Sequence, residues 1–172
     1  KSASFKDFKD SIITPHESEL KLMLINSNKE FLIPKIEMSN AKEKAEILQG
    51  NLRYFLHNNN VLLLKGATDI IISRNKIAFN RTGNQGMTTA GTGDVLAGLT
   101  IGFLAKTKEM FKSAVAAAYI NGLMGDQLLK KKKGYSFIAS DILNDLIELE
   151  SKINKLSKPS LKSDKKKVTK KK

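Results

Sequence analysis

The eighteen residues from Thr82 to Leu99, TGNQGMTTAGTGDVLAGL, constrain this chain more than any other stretch. They hold five of its eleven glycines, and their only charged side chain is Asp94. The segment follows a strand-like run, KIAFN (Lys76 to Asn80), and leads into an apolar helical segment predicted from Val95 to Ala105. A glycine-rich turn entering a helix exposes backbone N–H groups where the helix dipole places partial positive charge. Glycine also lets the backbone approach an anion closely and take positive φ at little cost. Gly91-Thr92-Gly93 is therefore expected to form an anion hole suited to phosphate. Asp94 puts a carboxylate beside it. In isolation an Asp in a first helical turn only offsets the dipole, but beside a phosphate site it can act as a general base toward an attacking hydroxyl.

The rest of the body alternates short strands with helices. DSIIT (Asp10 to Thr14) is an apolar run that stops at Pro15, consistent with a buried strand. Glu17 to Leu24 suits a short helix, and Ser39 to His57 places Ala41, Ala45, Leu48, Leu52, Phe55 and Leu56 near one helical face. VLLLK (Val61 to Lys65) is continuously apolar, the mark of a strand covered on both faces as in a parallel sheet. DIIIS and KIAFN, separated by Arg74-Asn75, read as a β-hairpin with a weak turn pair. Two further helices are predicted, Met110 to Leu129 and Ala139 to Leu156, the second with Ser140 as N-cap. This pattern argues an α/β domain with a mostly parallel sheet.

Charge is the one unusual number. The chain has 172 residues and a formal net charge of +13, but residues 158–172, KPSLKSDKKKVTKKK, carry seven of those charges. That segment is expected to be a disordered, solubilising tail, with polyanion binding as the alternative, and residues 1–157 are expected to form the folded domain. Aromatic residues make up only 6% of the chain, which argues against base stacking and hence against nucleic-acid recognition. No apolar run reaches the length of a membrane span, and the start KSASFKDFKD lacks the apolar core of a signal peptide. The absence of Cys excludes disulfides and fits a cytoplasmic setting.

The stretch TGNQGMTTAGTGDVLAG closely resembles the signature of the NAD(P)H-hydrate dehydratases, a carbohydrate-kinase-like family of ribokinase-type fold. TPHESE (Thr14 to Glu19) is similar to that family's Thr-Pro-His-Pro-Gly-Glu, and LLLKGATDII resembles its strand–Lys-Gly block. The resemblance covers roughly residues 10–150. It implies a three-layer α/β sandwich, present here as its C-terminal half, and a repair reaction. Hydrated NADH or NADPH is returned to NADH or NADPH, with ADP or ATP phosphorylating the hydrate hydroxyl before phosphate leaves. It further implies Asp94 as the base at the hydrated nicotinamide and His16 as a contact to the hydrated dinucleotide. Nucleotide binding falls to Lys65, Gly66, Ala67, Thr68 and Asp69, and to the loop of Asn84, Gln85, Gly86, Met87, Thr88, Thr89, Ala90, Gly91, Thr92 and Gly93. Taken alone, His16 reads as a surface or capping residue and Lys65 as a solvated strand end.

Glu17-Ser18 stands where the family has Pro-Gly, so the turn after His16 is expected to differ, Ser being poorly suited to positive φ. In the family about half of the domain lies upstream of the Thr-Pro-His block, and an upstream half-domain is therefore expected as a partner, with an epimerase domain beyond it in many bacteria. Mg²⁺ is expected with the nucleotide, at ligands the sequence does not mark, and assembly into a homo-oligomer is expected. Two rival functions fit the same residues: a vitamin or sugar kinase of this fold, or an incomplete binding module whose lysine tail docks on a polyanion. A nicotinamide oxidoreductase is disfavoured, because the third glycine of Gly-x-Gly-x-x-Gly would fall at Leu96.

Overall fold

The apolar run Val61–Leu64 is buried at every position and forms the centre of a four-stranded sheet. The computed structural model describes residues 3–156, so the segment 158–172, expected to be a disordered tail, lies outside the described residues. In chain order the elements are β1 (Ile12–Ile13), α1 (Glu17–Asn26), α2 (Ile33–Glu37), α3 (Ala41–Asn51), α4 (Arg53–His57), β2 (Val61–Leu64), β3 (Asp69–Ile72), β4 (Ile77–Asn80), α5 (Thr92–Thr107), α6 (Met110–Lys132) and α7 (Ala139–Leu156).

Alternation along the strands sends side chains to two faces, and helices cover both. Leu62, Leu64, Ile70 and Ile72 pack with Leu20, Leu24, Ile36, Leu48 and Phe55 of α1 to α4. Val61, Leu63 and Ile71 pack on the other side with Leu96 of α5 and Ala114, Ala117 and Ala118 of α6. This is the three-layer α/β sandwich that the resemblance implies. Each fully buried Leu or Ile contributes about 1.5–3 kcal/mol, so the two cores hold the sheet from both sides. A third cluster at the end of α5, α6 and α7 contains Val95, Met124, Leu128, Phe137 and Ile142.

Several expectations are corrected in detail. The sheet is mixed among the described strands: β1 and β2 are parallel, whereas β2–β3 and β3–β4 are antiparallel. The connections 65–68 and 73–76 are hairpin-sized and too short for the crossover a parallel pair requires. The single helix expected over Ser39 to His57 is two helices, broken at Leu52 with φ −102° and ψ 25°. Gly50 and Asn51, both weak helix formers, precede the break. The kink lets Leu52, Phe55 and Leu56 all be buried beside Ala45 and Leu48. Ser140 is not an N-cap, because α7 already begins at Ala139. At this end the Asp141 carboxylate, in the first turn of α7, accepts the Ile138 N–H at 2.9 Å, the return half of a capping box.

Among the described strands β1 has a neighbour on one side only. Beside that edge lies an apolar hollow of about 350 Å³, lined in part by Phe8, Ile13, Pro15, Leu22 and Met23. Leu22 on α1 and Ile101 on α5 are exposed by 53% and 66%, which leaves apolar surface on both helical layers. Among the described residues no helix is long and apolar enough to cross a membrane.

Candidate active site

Parallel β1 and β2 end together, and the residues just past their carboxyl ends begin the site. Lys65 follows β2 and donates its N–H to the Pro15 carbonyl at 2.9 Å, so His16 and Lys65 extend the ladder by one bridge. His16 then caps α1. Its Nδ1 accepts the Glu19 N–H at 3.3 Å, and Glu19 Oε2 accepts the His16 N–H at 2.8 Å, a reciprocal capping box. The ring is thereby oriented with Nδ1 as acceptor and Nε2 as its donor end, which lies 3.5 Å from Glu19 Oε1. Glu17 and Ser18 enter α1 directly, with no positive φ, so helix replaces the turn that Pro-Gly would make.

Lys65 Nζ lies 3.8 Å from Glu19 and 3.3 Å from the position a Cβ on Gly93 would take. It therefore stands at the N-terminus of α5. Gly91 begins that helix with φ +87° and offers no side-chain cap. The Asp94 and Val95 N–H groups reach the Gly91 carbonyl, while the Gly93 N–H has no acceptor among the described residues. An ammonium held over a helix N-terminus places two positive ends together. Such an arrangement suits an anion between them. α5 starts three residues before the predicted Val95, so Asp94 lies inside its first turn. Asp94 is exposed, and its carboxylate makes no hydrogen bond or ion pair with the described residues.

Asp69 does not face this space. Its Oδ1 accepts the Gly66 N–H at 3.1 Å and its Oδ2 accepts Asn80 Nδ2 at 2.9 Å. Burial pushes the Asp69 carboxyl above its ordinary pKa, against the opposing pull of those two bonds and of Lys65. Asp69 thus folds the 65–69 turn rather than presenting a ligand atom.

Most of the glycine-rich loop is similarly occupied with its own architecture. Asn84 Oδ1 accepts the Gly86 N–H at 3.0 Å and caps the 3-10 turn Gln85–Thr88. Gly86 is buried, and a Cβ there would lie 2.6 Å from the Phe137 ring. The Thr92 hydroxyl lies 2.7 Å from the Met87 carbonyl and 2.9 Å from that of Thr89, joining loop to helix. Gln85, Thr88 and Ala90 are exposed. The structure thus brings His16, Lys65 and Gly93 together, and it leaves Asn84, Gly86, Met87 and Thr92 engaged inside the loop.

Sequence reasoning missed the residues that fasten the loop. Asn80, only 6% exposed, accepts the Thr82 hydroxyl and donates to the Ala118 carbonyl at 3.1 Å. Thr82 Oγ1 also reaches the Tyr119 carbonyl at 3.1 Å, and Asp126 accepts the Gly83 N–H at 3.0 Å. Gly122 and Gly125 provide the clearance, since a Cβ on either would meet Thr82 at 2.2 Å or Met87 at 2.3 Å. Two glycines inside a long helix were the available signal, because interior glycine weakens a helix and marks close approach.

Known proteins resemble this chain in sequence and in fold. A family model described as NAD(P)H-hydrate dehydratase matches residues 1–148. A bifunctional NAD(P)H-hydrate repair enzyme of Archaeoglobus fulgidus is 47% identical over 88 residues, covering 51% of this chain and 18% of that protein. An ADP-dependent (S)-NAD(P)H-hydrate dehydratase of Nitrosopumilus maritimus is 31% identical over 148 residues, covering 86% of this chain and 47% of that protein. The crystal structure of the Bacillus subtilis ADP/ATP-dependent NAD(P)H-hydrate dehydratase, co-crystallised with ATP/Mg²⁺, shares the fold with a TM-score of 0.64 at 22% identity, over 82% of this chain and 47% of that one. The chain spans less than half the length of these relatives.

Proposed function

This chain belongs to the NAD(P)H-hydrate dehydratase family, and on that premise we propose that it carries the nucleotide-binding and base-bearing half of a domain that returns hydrated NADH or NADPH to NADH or NADPH at the expense of ADP or ATP. The observation that carries the reading is the nearness of Lys65 Nζ to the α5 N-terminus, which has no side-chain cap, one residue from Asp94, whose carboxylate has no partner among the described residues.

Lys65 and the Gly93 N–H would hold phosphate oxygens of the nucleotide, and the exposed Gln85, Thr88 and Ala90 would line its approach. Gly66, Ala67 and Thr68 would contribute through backbone, their turn being fixed by Asp69. The nucleotide supplies the phosphoryl group that makes the hydrate hydroxyl a good leaving group. Asp94 would accept the proton of that hydroxyl as its oxygen attacks the terminal phosphorus and the bond to the nucleotide's bridging oxygen breaks, releasing AMP from ADP or ADP from ATP. Phosphate would then leave with the C–O electron pair while the adjacent ring carbon gives up a proton to water, re-forming the ring double bond. His16, its ring fixed by Glu19, would direct Nε2 toward the hydrated dinucleotide. Among the described residues no group of three or more His, Asp or Glu could hold a metal. A Mg²⁺ ion accompanying the nucleotide would rest mainly on phosphate oxygens and water.

Completion of the site by an upstream half-domain is part of the proposal. It is supported by the edge of β1 that no other described strand pairs, the apolar hollow beside it and the exposed Leu22 and Ile101. An epimerase domain further upstream is in keeping with the bifunctional name of the Archaeoglobus relative. A homo-oligomer belongs to the same reading and is checked by light scattering.

The test is an assay on hydrated NADH with ADP or ATP, reading recovery of the reduced-nicotinamide absorbance. Recovery by this chain joined to its upstream half supports the proposal. No recovery with either donor would sink it and turn attention to a small-molecule kinase.

A further inference from the structure

We propose that Asp126 is a positioning residue for the nucleotide loop, and that it acts by fixing which way the Asn84 amide points. The proposal rests on the nucleotide-binding reading of that loop. Asp126 lies on α6, and its two carboxylate oxygens serve different donors: Oδ2 accepts the Gly83 N–H at 3.0 Å and Oδ1 accepts Asn84 Nδ2 at 3.1 Å. A carboxylate has no proton to give, so only the nitrogen end of the Asn84 amide can satisfy it. The oxygen end is thereby turned to the Gly86 N–H at 3.0 Å, where it caps the turn Gln85–Thr88.

The two ends of this amide cannot be exchanged. Turned over, Asn84 would set its oxygen against the Asp126 carboxylate and its NH₂ against the Gly86 N–H. The backbone on either side has little freedom to adapt. Gly83 stands at φ +106°, and Gly86 fits against the buried Phe137 ring. The chain so fixed runs on through Met87 and Thr89 to the Thr92 hydroxyl and the start of α5. A carboxylate on α6 thus sets the conformation of the segment that leads to Gly93 and Asp94.

Asp126→Asn is the informative change because it alters hydrogen-bonding sense and charge while keeping shape. Its amide can still accept the Gly83 N–H, but its NH₂ then meets the NH₂ of Asn84. The double change Asn84→Asp with Asp126→Asn restores a consistent pattern. The amide at 126 accepts from Gly83 and donates to the carboxylate at 84, whose second oxygen accepts the Gly86 N–H. The pair keeps its formal charge.

The experiment compares the intact protein with the single and double variants by amide hydrogen exchange and by ADP binding. Asp126→Asn is expected to accelerate exchange across residues 83–88 and to weaken ADP binding on the order of tenfold, the loss expected when a hydrogen bond to a charged group is broken. Exchange in β2 and β3 should stay unchanged, and the double variant should recover both properties. Unchanged loop exchange in Asp126→Asn would overturn the proposal. So would acceleration over the whole sheet, or a double variant more impaired than the single one. If the unaltered protein bound neither ADP nor ATP, the nucleotide reading would fail first. The two failures are distinguishable, because the exchange comparison needs no ligand.

Discussion

Gly122→Ala sets two physical effects against each other. Judged as a residue inside α6, Gly122 should gain roughly 1 kcal/mol of helix propensity on becoming Ala. Its surroundings argue the reverse. The new Cβ would lie 2.2 Å from Thr82 Oγ1 and 2.5 Å from the backbone carbon and oxygen of Thr82. Backbone cannot swing aside as a flexible side chain can, so the loop must lift from the helix. Overpacking of this kind costs about 1–3 kcal/mol. Lifting the loop also strains the Thr82 hydroxyl bond, whose one proton lies between Asn80 Oδ1 and the Tyr119 carbonyl, and the Gly83 bond to Asp126. Each is worth about 0.5–1.5 kcal/mol. With propensity subtracted, a net destabilisation of about 1–5 kcal/mol is expected. Gly50→Ala is the control, since nothing lies within 4 Å of its Cβ position in α3. It should be neutral or stabilise by up to about 1 kcal/mol. Urea denaturation of the intact protein reads both. A Gly122→Ala variant as stable as the parent would refute the claim that loop and helix meet backbone to backbone.

Three further outcomes follow from particular contacts. His16→Ala should lose about 1 kcal/mol of stability as a lost N-cap, whereas His16→Asn should keep it and still raise KM for the hydrated dinucleotide; an unchanged KM in the Asn variant, by steady-state kinetics, would leave His16 as a cap alone. Lys65→Met should weaken ADP or ATP binding by about tenfold or more, as expected for a lost charge-assisted bond, and calorimetry showing parental affinity would remove Lys65 from the site. Burial raises the Asp69 pKa, so the native state keeps that proton to higher pH than the unfolded chain, and stability falls as pH rises through the interval between the two pKa values. Asp69→Asn lacks this decline, so its stability relative to the parent should improve as pH climbs through that interval. Superimposed pH profiles in chemical denaturation would contradict the assignment.

What was legible in the residues depended on how local the determining contacts are. VLLL announced a strand covered on both faces because burial on each side requires apolar residues at consecutive positions, and β2 is buried throughout. The helices after the loop were legible as helical segments, although α5 begins at Thr92, just after Gly91 in its left-handed turn. The capping reading of His16 was available from Glu19 three residues later, and the structure bears it out. The fastening of the loop was not readable in this way. Asp126 lies 43 residues from Gly83 in sequence, and no local pattern ties a helical carboxylate to a distant backbone N–H. The inward turn of Asp69 likewise depends on Asn80, which becomes its neighbour only through the β3–β4 register. The glycines of the loop invited a phosphate-binding explanation. Gly91 and Gly93 stand at the N-terminus of α5, while Gly86 fits against Phe137.

The central claim is that Asp94, in the first turn of α5 beside the Lys65-flanked helix N-terminus, is the base for phosphorylation of the hydrate hydroxyl. The most direct measurement is turnover of hydrated NADH by Asp94→Asn in the protein joined to its upstream half, with nucleotide affinity measured on the same sample. The account predicts nucleotide binding within a few-fold of the parent and a kcat lowered by about 10²–10⁴, the usual contribution of a general base. Parental turnover in that variant would contradict it.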